Sequence, residues 1–96
     1  MDLPVTNFKK IKVSNMELVT HLEMLLNQRK TWFYEIKAYS NDVEVTFDWD
    51  YCYGWFVITP NKDGGYTVED EYYVERFDTI QQVADYLVKK DNDNAR

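Results

Sequence analysis

The residues of this chain that could do chemistry are a few carboxylates, one histidine and one cysteine. Glu44, Asp48 and Asp50 stand at even spacing, so a β-strand would place all three on one face. Carboxylates in such a set can bind Mg²⁺ or Ca²⁺. A calcium-binding loop counted from Asp48 would need glycine where Tyr53 stands, so that motif is absent. We therefore predict a solvated strand face without a metal.

The single histidine and the single cysteine do not indicate catalysis. His21 falls at the border of an apolar helical stripe, where we expect a partly exposed helix residue. A reactive cysteine needs electropositive surroundings, whereas Cys52 lies among acidic and aromatic residues and is predicted to be structural. The sequence contains no glycine-rich phosphate loop, no nucleophile elbow and no zinc ligand set. We predict a protein that is not an enzyme and holds no cofactor.

Acidic and aromatic residues are mixed in the middle of the chain, and this mixture is its most suggestive feature. Tyrosine is a favoured interface residue, and surrounding carboxylates steer a basic partner into place. A second packing layer or a contact between two copies of the chain would use the same residues. The predicted partner-binding residues are Phe33, Tyr39, Glu44, Asp48, Asp50, Tyr51, Tyr53, Glu69, Glu71 and Tyr73.

Two neighbouring segments that carry many of these residues alternate between apolar and polar side chains, as half-buried strands do. Folded about Ser40-Asn41, they place Lys37 opposite Glu44 and every apolar residue opposite another one. A slip of one residue would turn the apolar set to the other face, so the register is well specified. The predicted apolar pairs are Trp32 with Trp49, Tyr34 with Phe47, Ile36 with Val45, and Ala38 with Val43.

Two helices are predicted at the ends of the chain. Ser14 and Glu17 have the spacing of a capping box and precede apolar residues at helical spacing, which predicts a helix over 15–28. Asp78 and Gln81 have the same spacing before a second apolar stripe, which predicts a C-terminal helix.

The remaining segments indicate short strands. A third strand is predicted over 54–59, followed by a glycine-containing turn over 61–65 and a fourth strand over 66–75. Acidic residues interrupt the fourth strand, and we expect a bulge at 69–71. Apolar residues alternate with lysines near the end of segment 1–13, which predicts an extended lead-in with a short edge strand.

This order of elements predicts an α+β fold. It consists of a four-stranded antiparallel meander with an N-terminal and a C-terminal helix packed on one face, plus the short N-terminal edge strand. We expect one domain over residues 1–90 and a disordered polar tail over 91–96. The face opposite the helices is then open to solvent or to a partner.

The charge distribution limits the classes of partner. The net charge is −6, and residues 41–96 carry 13 Asp and Glu against five Lys and Arg. An acidic surface repels nucleic acid and anionic membranes, so we predict no direct contact with either. One cysteine and the lack of a basic, apolar leader indicate a cytoplasmic protein.

Three hypotheses about function follow. In size, charge and arrangement of elements the chain resembles the small acidic inhibitors of phages and mobile elements, including anti-CRISPR and anti-restriction proteins. This resemblance implies a non-catalytic module that blocks a basic protein acting on nucleic acid. An immunity protein that neutralises a toxin would have the same physical features. The second hypothesis is a homo-oligomeric accessory protein, such as a homodimer that pairs through its open sheet face. The third, which no motif supports, is an enzyme or metal-binding protein that uses Asp48 and Asp50.

Overall fold

The computed structural model describes residues 2–29, 34–49 and 52–94. Two helices flank a five-stranded antiparallel sheet whose strands follow one another in chain order. The chain therefore has the predicted α+β fold, with the N-terminal and C-terminal helices packed on the sheet. The elements are α1 (Asp2–Gln28), β1 (Tyr34–Ala38), β2 (Val43–Asp48), β3 (Tyr53–Pro60), β4 (Tyr66–Glu69), β5 (Val74–Phe77) and α2 (Ile80–Asn94).

One core fills the space between the helices and the inner face of the sheet. In the central strands every second residue is buried, while the residues between them stay accessible, so the sheet has one dry face. Each helix covers this face with residues at helical spacing. The buried apolar residues are Leu18, Val19, Leu22, Leu25, Leu26, Val43, Val45, Phe47, Phe56, Ile58, Val68, Ile80, Val83, Ala84 and Leu87.

The first hairpin has the register that the sequence predicts. Its cross-strand partners include Tyr34 with Phe47, Ile36 with Val45, Ala38 with Val43 and Lys37 with Glu44. The amide of Tyr39 donates to the carbonyl of Asp42 at 2.8 Å, which closes the turn at Ser40-Asn41. The predicted pair of Trp32 with Trp49 lies outside the described residues, because Trp32 is not among them.

The predicted fourth strand is wrong in one respect, because it is two strands joined by a tight turn. β4 ends at Glu69, and the chain reverses over residues 70–73 instead of forming a bulge. Oδ1 of Asp70 accepts hydrogen bonds from the amides of Tyr72 (2.8 Å) and Tyr73 (2.7 Å). Aspartate at the first position of a turn satisfies backbone groups in this way. The meander therefore has five strands.

The N-terminal lead-in is also corrected, because α1 begins at Asp2 and no edge strand forms over 1–13 in the described residues. Ser14, predicted to cap this helix, lies inside it. Two alternations of apolar and basic residues are too few to separate a strand from a helix. Pro4 is compatible with the helix because it falls in the first turn, where a backbone N–H has no helical partner.

The second helix begins one residue later than predicted. The true capping box pairs Thr79 with Gln82: Oγ1 of Thr79 accepts from the amide of Gln82 at 3.2 Å, and Oε1 of Gln82 accepts from the amides of Asp78 (2.8 Å) and Thr79 (3.2 Å). The helix continues to Asn94, so residues 91–94 of the predicted tail are helical. Nδ2 of Asn94 donates to the carbonyl of Lys90 at 2.7 Å in this last turn.

Gly54 is required by the packing of Trp49. Phe47 is the cross-strand partner of Gly54. The Phe47 ring stacks on the Trp49 indole, with the ring centroids 6.0 Å apart. A Cβ atom at position 54 would lie 2.4 Å from Cη2 of Trp49. A side chain at position 54 and the indole therefore compete for the same volume.

We expect Thr79→Ala to lower the free energy of unfolding by about 1 kcal/mol, because it removes the side-chain acceptor of the capping box. The matched control is Asp78→Ala, which removes only an exposed ion pair with Arg76 and should cost less. Urea unfolding of both variants measures the difference. An equal loss in the two variants would show that Thr79 does not cap the helix.

We expect Gly54→Ala to lower the free energy of unfolding by about 1–3 kcal/mol, because the added methyl group overpacks the Trp49 ring. In Gly54→Ala/Trp49→Leu the loss should be smaller than the sum of the two single losses. A double-mutant cycle in urea measures this coupling, and strict additivity would contradict the steric explanation.

Candidate functional site

The sheet has a second face, turned away from the helices, which we call the outer face. It consists of the residues that alternate with the buried ones, since successive side chains of a strand point to opposite sides. No helix of the described chain covers it, because the buried residues of both helices pack in the core on the other side. Its members are Glu35, Lys37, Glu44, Thr46, Asp48, Tyr53, Trp55, Val57, Thr59, Thr67, Glu69, Val74 and Arg76.

Trp55 lies on the middle strand of the outer face and is 43% exposed. Its cross-strand partner is Thr46, which in turn faces Glu35 on β1. Tyr53 lies two residues before Trp55 on the same strand. It is 71% exposed, and its cross-strand partner is Asp48. The outer face thus places large aromatic side chains directly beside carboxylates.

The outer face has an excess of negative charge. It carries the four carboxylates Glu35, Glu44, Asp48 and Glu69 against two cations, and one of these cations, Arg76, is held by Asp63 (2.6 Å) and Asp78 (2.7 Å). Within the described residues, none of the four outer-face carboxylates forms a salt bridge. They are therefore free to attract a cationic partner.

A groove of ≈ 720 Å³ lies at one end of the sheet. It is bounded by the first residues of β3, the turn over 70–73 and the last turns of α2. One wall holds Trp49, whose Nε1 donates to Oδ1 of Asp91 at 2.8 Å and so ties the sheet to α2. The lining residues are Trp49, Cys52, Tyr53, Gly54, Trp55, Phe56, Asp70, Glu71, Tyr72, Tyr73, Lys90 and Asn94.

Lys90 of the groove is placed over aromatic rings. Its Nζ lies 5.6 Å from the ring centroid of Tyr73 and 5.5 Å from that of Tyr86, within the range of a cation–π interaction. Burial raises the pKa of the Tyr86 hydroxyl above its usual value, and the nearby charges of Asp70 and Glu75 raise it further. This end of the sheet therefore combines aromatic surface with negative potential.

The structure distributes the predicted partner-binding residues over the outer face and the groove. Tyr39 follows β1, and its hydroxyl donates to Oε1 of Glu44 at 3.4 Å, which places it beside the outer-face residues Glu44, Asp48, Tyr53 and Glu69. Glu71 and Tyr73 lie in the turn that borders the groove. The predicted residues that lie outside the described part of the chain are Phe33, Asp50 and Tyr51.

Sequence reasoning missed Trp55, Tyr72, Val74 and Lys90. The alternation of Phe56 and Ile58 in β3 was the signal for Trp55, because residues between buried ones face outward. Tyr72 is 80% exposed and Val74 is 65% exposed. The exposure of both side chains depends on the reversal of the chain at Asp70.

The residues singled out for possible chemistry form no metal-ligand cluster in the part of the chain that the structure describes. No three acidic, histidine or cysteine side chains come together there. His21 is half-buried on α1. Cys52 is exposed and lines the groove, so its thiol is not part of the core. Neither described helix has both the length and the apolar character needed to span a bilayer.

Comparison with protein-family models, with curated proteins and with solved structures finds no match for this chain.

We expect the protein to lose stability in alkali, and Tyr86→Phe to lose less. A tyrosine whose pKa is raised in the folded state holds its proton more tightly there than in the unfolded chain. Its contribution to the free energy of unfolding is therefore present below a pH of about 10 and is lost as the pH rises further. Burial also raises the pKa of Tyr34. Urea unfolding of both proteins at several pH values between about 8 and 11 measures the slopes. Equal slopes would contradict the prediction.

Proposed function

We propose that this chain is a non-catalytic protein-binding module that docks a basic protein on its outer face. The observation that carries the proposal is the exposure of Trp55 and Tyr53 among carboxylates that form no salt bridge with any described residue, on a sheet face that no described helix covers. Such aromatic side chains contribute contact area with few rotatable bonds. The carboxylates raise the rate of encounter with a cationic surface.

The area of the outer face indicates how much of the surface of the chain takes part in the proposed interface. Five strands at a spacing of about 4.8 Å and about six residues of length give a flat area of roughly 450 Å². A stable interface buries about 800 Å² on each partner. The aromatic turn over 70–73, which adjoins β3, extends the available surface with Tyr72 and Tyr73.

The sign of the charge supports an inhibitory role. A basic surface that binds nucleic acid through its phosphates also attracts a carboxylate-rich face, so one ligand excludes the other. The proposed role is inhibition of a basic, nucleic-acid-acting protein, as in the anti-defence proteins of phages and mobile elements. The exposed thiol of Cys52 suits the reducing cytoplasm. Neutralisation of a basic toxin uses the same physical mechanism.

Self-association through the outer face is the weaker candidate. Val74 on the edge strand is 65% exposed and would favour contact with a second copy. A two-fold contact between two copies of this face would, however, bring like charges together, which costs free energy. Light scattering at tens of micromolar distinguishes a dimer from a monomer.

We expect a variant with Glu44→Gln, Asp48→Asn and Glu69→Gln to associate about tenfold more slowly with the partner at low salt, because it loses three steering charges. Its matched control is Glu17→Gln, Glu23→Gln and Asp93→Asn, which removes the same charge from exposed positions on the helices.

The partner is first captured from host lysate with wild-type protein and identified by mass spectrometry. Association rates of the purified partner with all three proteins are then measured at low and at high salt. Equal slowing by the outer-face variant and by the helix variant would overturn the proposal, because only net charge would then matter.

A further inference from the structure

The groove has an open strand edge along one side. β3 pairs with β2 from Tyr53 onward, but its pairing with β4 begins only at Val57. None of the described strands therefore pairs with Tyr53–Phe56 on the β4 side. In an antiparallel sheet every second residue directs its backbone N–H and C=O toward the neighbouring strand. An extended peptide that enters the groove can accept and donate hydrogen bonds there.

The side chains around this edge fit a cation. Tyr53, Tyr72 and Tyr73 are all more than 60% exposed and line the groove with Trp55. Aromatic faces attract ammonium and guanidinium groups. Two carboxylates, Asp70 and Glu71, lie among them and complement a positive charge.

The chain itself already places a cation at this site. Lys90 is the one cation among the described residues that line the groove, and its Nζ stands 5.6 Å from the Tyr73 ring centroid. Its ammonium group is a cation that the Tyr73 and Tyr86 rings already accommodate. A cation from outside that enters the groove would compete with it.

We propose that the groove binds an extended basic segment of the partner, with an arginine or lysine side chain taking the place of Lys90 over Tyr73. This inference rests on the proposed function, since it names the part of a basic partner that this end of the sheet recognises. The peptide backbone lies along Tyr53–Phe56, and its cationic side chain reaches the aromatic rings and the carboxylates of the turn over 70–73.

The test uses a capped pentapeptide of alternating alanine and arginine, with a matching peptide in which glutamine replaces arginine. We titrate each into the ¹⁵N-labelled full chain and follow the amide signals by NMR. The arginine peptide should shift the amides of 53–56 and 70–73, and the glutamine peptide should not. Equal shifts with both peptides, or shifts confined to other residues, would overturn the proposal.

The sign of the effect of Lys90→Gln separates a cationic ligand from an anionic one. Removal of the competing ammonium group should tighten binding of the arginine peptide about two- to five-fold. The control, Lys89→Gln, makes the same charge change at the adjacent residue, which is exposed and pairs with Asp93 (3.6 Å), and should change the affinity less than twofold. Weaker or unchanged binding by the Lys90→Gln variant would contradict the proposal.

Tyr73→Leu should weaken binding of the arginine peptide about two- to five-fold, because it removes the ring that faces the cation. Circular dichroism confirms that each variant is folded. The peptide titration needs no partner, so it fails independently of the proposed function. Loss of peptide binding with intact charge-dependent partner binding would remove only the groove assignment, and the reverse result would remove only the outer-face assignment.

Discussion

The stacking of Trp49 on Phe47 is the contact on which the rest of the site depends. It places an indole over Gly54, where an added Cβ atom would lie 2.4 Å from the ring. The far edge of the indole then donates to Asp91 and holds the end of α2 against the sheet. One aromatic residue thus joins the core, the C-terminal helix and the wall of the groove.

Both helices pack on one face of the sheet, and this has a direct consequence for the opposite face. A sheet whose inner face is dry must present its remaining side chains to water or to a partner. The central strands supply Trp55 and Tyr53 to that surface, together with carboxylates that form no ion pair within the described residues. The packing that stabilises the fold therefore also creates the surface to which we assign binding.

The turn at Asp70 links the outer face to the groove. Its carboxylate accepts hydrogen bonds from two successive amides, so the side chains of Tyr72 and Tyr73 are presented outward rather than continued into a strand. The same turn stops β4 at Glu69, so none of the described strands pairs with the start of β3 on that side. A local hydrogen-bonding preference of aspartate thus sets both the aromatic rim and the open strand edge.

The sequence by itself determined the first hairpin, the apolar stripes of the helices and the acidic character of the outer face. These features follow from side-chain periodicity and composition, which a single segment carries in full. It did not determine the start of α1, the reversal at Asp70 or the capping of α2 by Thr79. For α2, Asp78 with Gln81 and Thr79 with Gln82 have the same spacing, so the spacing alone could not decide which pair forms the capping box. The groove required the tertiary structure, because Lys90 and Tyr73 meet only when α2 folds back onto the sheet.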